Sequence, residues 1–206
     1  MSGRTWLSMA AAWLVAGAAW AAPTEAELKT AVEKYFGDLF KRMEQAAAQQ
    51  PTEETFRTVM KPHLEGIEGL YGSTLINADW EIRAVYFKSH FLAVGFSLRK
   101  VKELDYFRDL MAKTPAPQLS EPGHGSLAQP RLVALRYPVL KDGKMSSIVS
   151  LMVRTDAFLE AVKLDTCSAY KFVCLGKDAE SKGTLSASHK EVKVSLPSTE
   201  WVIQYE

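Results

Sequence analysis

The chain has 206 residues, 24% of them charged and 47% hydrophobic, and a formal net charge of +1. This length suits one domain with an ample core. The neutral balance argues against a nucleic-acid-binding protein, which typically carries a basic patch, and the apolar fraction argues against a disordered chain.

The first 22 residues have a composition of their own. Arg4 precedes an apolar run over residues 6–16, and small residues follow up to Ala21 and Ala22. A basic start, a short apolar middle and an Ala-x-Ala exit are typical of a secretory signal peptide. We therefore predict a signal peptide over residues 1–21 and one periplasmic or secreted domain over residues 22–206, with no membrane span after cleavage. The alternative is an uncleaved anchor, for which the apolar stretch is at the short end.

Helical periodicity comes next in the chain. Apolar residues recur at spacings of three and four over residues 24–49, after a capping-box start at Thr24 and Glu27. A second helix is predicted from Thr52, with Pro62 dividing or kinking it. Alternation then predicts two short strands, 73–77 and 80–88, and helical spacing returns over residues 103–113. A loop rich in proline and glycine follows.

A β-hairpin is the clearest local signal. Two β-rich runs, 131–140 and 145–154, flank Asp142-Gly143, a dipeptide that favours tight hairpin turns. With that turn, Leu140 is expected to oppose Met145, and Arg131 to oppose Arg154. Both faces are largely apolar, so we expect both to be covered. The first helix can cover one face, and a ligand cavity is one way to use the other.

The end of the chain adds a short helix over residues 156–163 and strands near 169–175, 191–196 and 201–205. Together the elements predict an α+β domain with a long N-terminal helix packed on a mostly antiparallel sheet. Cys167 and Cys174 are its two cysteines. In an oxidising compartment they are permitted to pair, with a stabilisation of about 2–3 kcal/mol. We expect that disulfide; the alternative is two buried free thiols.

Motifs for catalysis or metal binding are not found. The four histidines are far apart, and none belongs to a zinc or haem motif. There is no Gly-x-Ser-x-Gly elbow and no phosphate-binding glycine loop. We therefore predict no catalytic residue, no metal and no cofactor, and the alternative of an enzyme with a site assembled from distant residues stays open. His124, within Pro122-Gly123-His124-Gly125, is expected to be a solvated loop residue.

The order of the segments resembles the Cache family of extracytoplasmic PAS-like sensor domains. The resemblance covers roughly residues 25–206. The segments that carry it are 74–82, 95–98 leading into 104–110, Gln118 to Pro122, Tyr137 to Val139 with Asp142 to Lys144, and Leu196-Pro197 before Trp201. It implies a PAS-like sheet with a pocket for a small molecule, often an organic acid, an amino acid or an amine.

The resemblance also implies a signalling partner in the membrane, because such domains are commonly the outer part of receptors. We expect a free-standing form here, without a following transmembrane helix or output module. Tyr106 is the ligand-binding position that the resemblance implies. Amino-acid-binding members carry an arginine where this chain has Leu104, so amino-acid specificity is not carried over.

Reasoning from the residues adds a second group of candidates on the hairpin face that holds Tyr137. Two opposed arginines repel unless an anion lies between them or a carboxylate pairs with one; the alternative is that they are ordinary surface residues. The candidates are Arg131, Tyr137, Ser150, Arg154 and Asp156. The predicted function is an exported domain that binds a small polar ligand and acts through a partner. The alternatives are an enzyme and a structural module whose core is filled by side chains.

Overall fold

The structure is a computed structural model, and it describes residues 22–86, 94–123 and 131–206. The predicted signal peptide, His90 and His124 lie outside the described residues. Within the described part, the helices are α1 (Glu25–Ala48), α2 (Phe56–Leu64), α3 (Asp105–Lys113) and α4 (Thr155–Ala161). No helix in that part has the length and apolar character needed to cross a membrane.

Helix α1 begins at the predicted capping box. The Glu27 backbone N–H donates to Thr24 Oγ1 at 3.3 Å, and the Thr24 backbone N–H donates to the Glu27 carboxylate at 2.8 Å. The apolar stripe of the helix is buried, with Leu28, Val32 and Phe36 fully covered. Helix α2 contains Pro62, which contributes no backbone N–H to the helix, and it ends two residues later.

Five antiparallel strands form the first sheet, in the order β2-β1-β5-β4-β3. Their bounds are β1 (Leu70–Asn77), β2 (Ile82–Tyr86), β3 (Gln118–Leu119), β4 (Leu132–Lys141) and β5 (Lys144–Arg154). Strands β4 and β5 are the predicted hairpin, and Leu140 opposes Met145 as expected. The sequence pattern did not predict the short strand β3.

Beyond its first pairs, the predicted hairpin register is wrong. Val139 opposes Ser147, so Ser146 is an extra residue on β5, and its hydroxyl donates to the Val139 carbonyl at 3.1 Å. This bulge shifts every later pair by one position. Because side chains alternate between the two faces of a strand, the shift changes which residues of β4 and β5 share a face. Arg154 consequently opposes Leu132, and Arg131 lies before β4 begins.

A second antiparallel sheet has the order β7-β6-β9-β8. Its strands are β6 (Tyr170–Cys174), β7 (Lys177–Lys182), β8 (Lys190–Leu196) and β9 (Thr199–Tyr205). Helix α1 contacts β4 and β5 of the first sheet and β8 of the second. The ring of Phe36 in α1 lies 5.2 Å from that of Trp201 in β9 and 5.0 Å from that of Phe158 in α4, and the hydrophobic core around these rings contains residues of both sheets. The predicted α+β class and antiparallel pairing are confirmed.

Candidate functional site

A cavity of about 1270 Å³ lies on the face of the first sheet that α1 does not cover. Alternate residues of the three central strands form its floor, because every second side chain of a strand points to the same side. They are Thr74 and Ile76 of β1, Leu132, Ala134 and Arg136 of β4, and Ser150 and Met152 of β5. Helix α1 thus covers one face of the hairpin, and a cavity, one of the uses that the sequence left open, lies on the other.

Three segments form the walls of the cavity. One runs from Phe96 through the start of α3 to Phe107, the second is residues 121–123, and the third is the turn between β6 and β7. Large apolar side chains lie at the opening, where Phe96, Tyr106 and Leu175 are each between 44% and 48% exposed. The cavity is therefore mostly apolar, as small-molecule sites usually are.

Arg136 is the most unusual residue of the floor. It is only 4% exposed, and its Nη1 atom has no hydrogen-bond partner among the described residues. Its Cζ atom lies 5.1 Å from the centre of the Phe107 ring, which is a cation–π geometry. Burial lowers the pKa of the guanidinium to about 10, although the nearby carboxylate of Glu121 favours the charged form.

Polar neighbours of Arg136 are set by strand pairing. Ser150 of β5 opposes Arg136, and Thr74 of β1 opposes Ser150, so these three residues form one row across the floor. On the other side, Gln118 of β3 opposes Arg136 and donates from Nε2 to the Phe107 carbonyl at 2.8 Å. This bond ties α3 to the sheet edge and holds the Phe107 ring beside the guanidinium.

Arg136 is not among the ligand residues predicted from the sequence. A signal was present, because Arg136 interrupts the apolar run from Leu132 to Val139, where a charge is costly to bury without a partner. The predicted register placed Arg131 opposite Arg154 at the open end of the hairpin, so these two arginines became the candidates instead.

Two of the six predicted ligand residues line the cavity, namely Tyr106 and Ser150. Tyr106 lies at the opening, with its ring 5.4 Å from that of Phe107. Tyr137 lies on the opposite sheet face, toward α1, where burial and then Glu44 of that helix raise its pKa. Binding by Tyr106 and Ser150 stays a prediction.

Arg131, Arg154 and Asp156 have partners outside the cavity. Arg131 forms an ion pair with the buried carboxylate of Glu180 at 2.8 Å. Arg154 lies 3.4 Å from the exposed carboxylate of Asp156. Arg131 and Arg154 do not oppose each other, because the register shifts at Ser146, and the pairing of Asp156 with Arg154 is one of the alternatives that the sequence left open.

Cys167 and Cys174 are both buried free thiols, so the expected disulfide is not present. Cys174 is the last residue of β6, whereas Cys167 precedes the other end of that strand, near Lys182 and Lys190. Extended backbone rises about 3.3 Å per residue, and a disulfide requires Cα atoms within about 7 Å. Cys174 also lines the cavity, and burial raises the pKa of its thiol to about 12.

Titratable groups elsewhere do not form a metal site. Within the three described ranges, no group of three His, Cys, Asp or Glu side chains is placed to hold a metal ion. His63 Nε2 lies 3.0 Å from Gln49 Nε2, and His189 Nδ1 lies 2.7 Å from the Ser186 carbonyl oxygen. The two histidines lie far apart in the chain, and each has its own partner.

Comparisons of sequence and of structure give different results. No family model matches the chain, and no curated protein matches it at a significant level. Among solved structures, an extracellular ligand-binding receptor from Desulfohalobium retbaense matches with a TM-score of 0.65 and 16% identity. That match covers 87% of this chain and 39% of the receptor, so this chain spans well under half of its length.

Two further structures are matched over nearly their whole length. The ligand-binding domain of the Pseudomonas fluorescens chemoreceptor CtaA, in complex with L-leucine, has a TM-score of 0.63 and 13% identity over 88% of this chain and 89% of that one. The periplasmic sensory domain of the Campylobacter jejuni chemoreceptor Tlp1 has a TM-score of 0.60 and 8% identity over 88% and 91%. At such identities the matches show the fold, and they confirm the resemblance to Cache-type sensor domains.

Proposed function

We propose that this chain is an exported sensor-type domain that binds a small molecule in the cavity above the first sheet and passes the binding state to a membrane-bound signalling partner. The observation that carries the proposal is the cavity itself. It is large, mostly apolar, and has a row of polar side chains at its floor. The chemoreceptor domains with the same fold bind ligands such as L-leucine and GABA, which supports a binding role rather than an enzymatic one.

The alternative of a structural module with a filled core is less well supported. In such a module, side chains would occupy the space above the sheet, whereas the described residues here line a cavity of about 1270 Å³. A cavity of that size costs contact energy that a purely structural domain has no reason to forgo.

Export is part of the same proposal. The fold begins immediately after the proposed cleavage site, because the Pro23 carbonyl accepts hydrogen bonds from Tyr205 Oη at 3.0 Å and Lys190 Nζ at 3.1 Å. Residues 22–206 then form one secreted domain. Intact-mass measurement of the periplasmic protein should give the mass of a chain beginning at Ala22. A mass that retains residues 1–21 would support the anchor instead.

Ligand binding is tested with a thermal-shift screen of organic acids, amino acids and amines. A ligand at 100 times its Kd adds about 2.7 kcal/mol, which raises the Tm of a domain this size by roughly 5–10 °C. Ala134→Leu places extra bulk on the cavity floor and should abolish the shift. Leu140→Phe is the matched control, because Leu140 is exposed near the hairpin turn, outside the cavity. Equal shifts in both variants would place the ligand elsewhere, and no shift from any compound would contradict the proposal.

A further inference from the structure

Arg136 is a buried cation that the protein satisfies only in part. A buried guanidinium needs hydrogen-bond acceptors for its donors, because it has left the water that previously supplied them. The ring of Phe107 covers one side of the group, and Glu121 offsets part of its charge. Nevertheless, Nη1 has no hydrogen-bond partner among the described residues, and the side chain lines the cavity. The structure therefore places a buried guanidinium with one unpaired donor among the residues that line the cavity.

The row Arg136–Ser150–Thr74 determines what shape of acceptor fits. The Cα atoms of directly opposed residues on neighbouring strands lie about 4.5–5.5 Å apart, so the side chains of Arg136, Ser150 and Thr74 leave the sheet side by side on the cavity face. A planar group with two acceptor oxygens matches a guanidinium fork, and hydroxyls can donate to the same oxygens. A carboxylate has this geometry and the charge that Arg136 needs.

The surroundings of the row determine the rest of the ligand. The cavity surface next to it is apolar, with Ile76, Leu104, Phe107, Ala134 and Met152. Charges of both signs line its walls, namely Glu103, Glu121 and Asp178 together with Lys177, and Asp178 is paired with Lys171 at 2.9 Å. Arg136 is the charged residue among the described floor residues, and one buried cation balances a single carboxylate better than it balances a phosphate or a dicarboxylate.

We propose that Arg136 anchors the carboxylate of a small monocarboxylic acid whose apolar body lies against the floor and walls of this cavity. The inference rests on the proposed binding function and specifies its ligand class. It also assigns the anchor to strand β4, apart from the α3 segment in which the family resemblance implies a ligand residue.

The test uses matched probes, each acid beside its own primary amide. The acids are the straight-chain and branched monocarboxylates of three to eight carbons, phenylacetate and 3-phenylpropionate, and L-leucine and phenethylamine extend the set. At least one acid should raise the Tm of residues 22–206, and its amide should bind at least 30-fold more weakly by calorimetry. An amide that binds as tightly as its acid would overturn the inference.

Substitution of the anchor gives the second readout. Arg136→Met should reduce the affinity for the acid at least 100-fold, and Arg136→Lys at least 10-fold, since lysine lacks the two-pronged geometry. Arg83→Met is the control, because Arg83 lies on β2 of the same sheet and forms exposed ion pairs with Glu53 and Glu81. Its affinity should stay within twofold of the unmodified protein. The ligand-free Tm of Arg136→Met should be unchanged or higher, since the variant removes an incompletely bonded buried charge; a large fall would show that Arg136 is structural.

The two proposals fail in different ways. If only neutral or amine compounds shift the Tm, the binding function stands and the carboxylate anchor is wrong. If an acid binds to Arg136→Met and to Arg136→Lys as tightly as it binds to the unmodified protein, the ligand class stands and the anchor is wrong. If no compound of any class binds, the proposed function fails and the ligand class fails with it.

Discussion

Two tyrosines have buried hydroxyl groups that differ in their contacts. Tyr205 Oη donates to the Pro23 carbonyl at 3.0 Å, whereas Tyr35 Oη is buried and has no hydrogen-bond partner among the described residues. Tyr205→Phe should therefore cost about 1 kcal/mol of unfolding free energy, because a hydrogen bond is lost and the Pro23 carbonyl loses one of its two donors. Tyr35→Phe should be neutral or slightly stabilising. Urea unfolding of the two variants measures the difference, and equal losses would contradict it.

The same variants predict the behaviour at high pH. Burial raises the pKa of both Tyr35 and Tyr205 to about 12, from an ordinary value near 10. A raised folded pKa gives stability that is complete below pH 10 and is lost as the pH rises toward 12, because the unfolded chain ionises first. Titration at 295 nm should show these two among the late phenols, and each variant should remove one. A variant that leaves both late phenols would refute the assignment.

The thiol state is a third property of single residues. Both cysteines are buried and lie toward opposite ends of β6, and burial raises the pKa of each thiol. Thiolate is the reactive form, so native protein should react slowly with a disulfide reagent at pH 8. In guanidinium chloride without reductant, two thiols per chain should react at once. If none reacts in denaturant, the two cysteines form a disulfide.

At the scale of elements, the main difference between prediction and structure is one extra residue in β5. Periodicity predicts α1, and Asp142-Gly143 predicts the hairpin and its first pairs, because these signals are local. Ser146 then shifts the register, and no local pattern indicates which residue of a strand bulges. That shift moves Tyr137 away from Ser150 and brings Arg136 to the cavity floor. The sheet is therefore predictable, whereas the identity of the floor is not.

Two glycines test the backbone of these elements. Gly143 has φ of 74° in the hairpin turn, and an added Cβ at this position would meet no atom within 4 Å. Gly143→Ala should cost about 1–2 kcal/mol through the left-handed backbone alone. Gly37 is exposed within α1 and also has open space, so Gly37→Ala should stabilise by about 0.5–1 kcal/mol. Chemical denaturation gives both signs, and a destabilising Gly37→Ala would contradict the described helix.

For the whole molecule, the division into two sheets is what the sequence could not supply. Strand β7 reads Lys-Asp-Ala-Glu-Ser-Lys, with four charges in six residues, and does not look like a strand. It lies at the edge of its sheet, where charged residues are tolerated and discourage pairing with other chains. Its turn with β6 closes one wall of the cavity, so the site depends on a strand that only tertiary contacts explain.

Both sheets should nevertheless unfold together, because α1 packs against each and one hydrophobic core contains residues from both. Phe36 of α1 is fully buried against Phe158 and Trp201. Phe36→Ala should cost about 3–5 kcal/mol, as expected for removal of a buried aromatic ring. Trp80 lies in the separate apolar cluster that contains Phe107, next to the first sheet, and Trp201 lies in the second sheet.

Each tryptophan can therefore report on its own region. In residues 22–206, Trp80→Phe leaves Trp201 as the reporter, and Trp201→Phe leaves Trp80. In each background, the fluorescence transition should have the same midpoint as the loss of circular dichroism. Adding Phe36→Ala should move the midpoints of both reporters by the same amount, since a two-state chain has a single free energy of unfolding. A Trp80 transition that stays in place while the Trp201 transition moves would show that the two sheets are independent units, and the cavity wall formed by β6 and β7 would then open without loss of the floor.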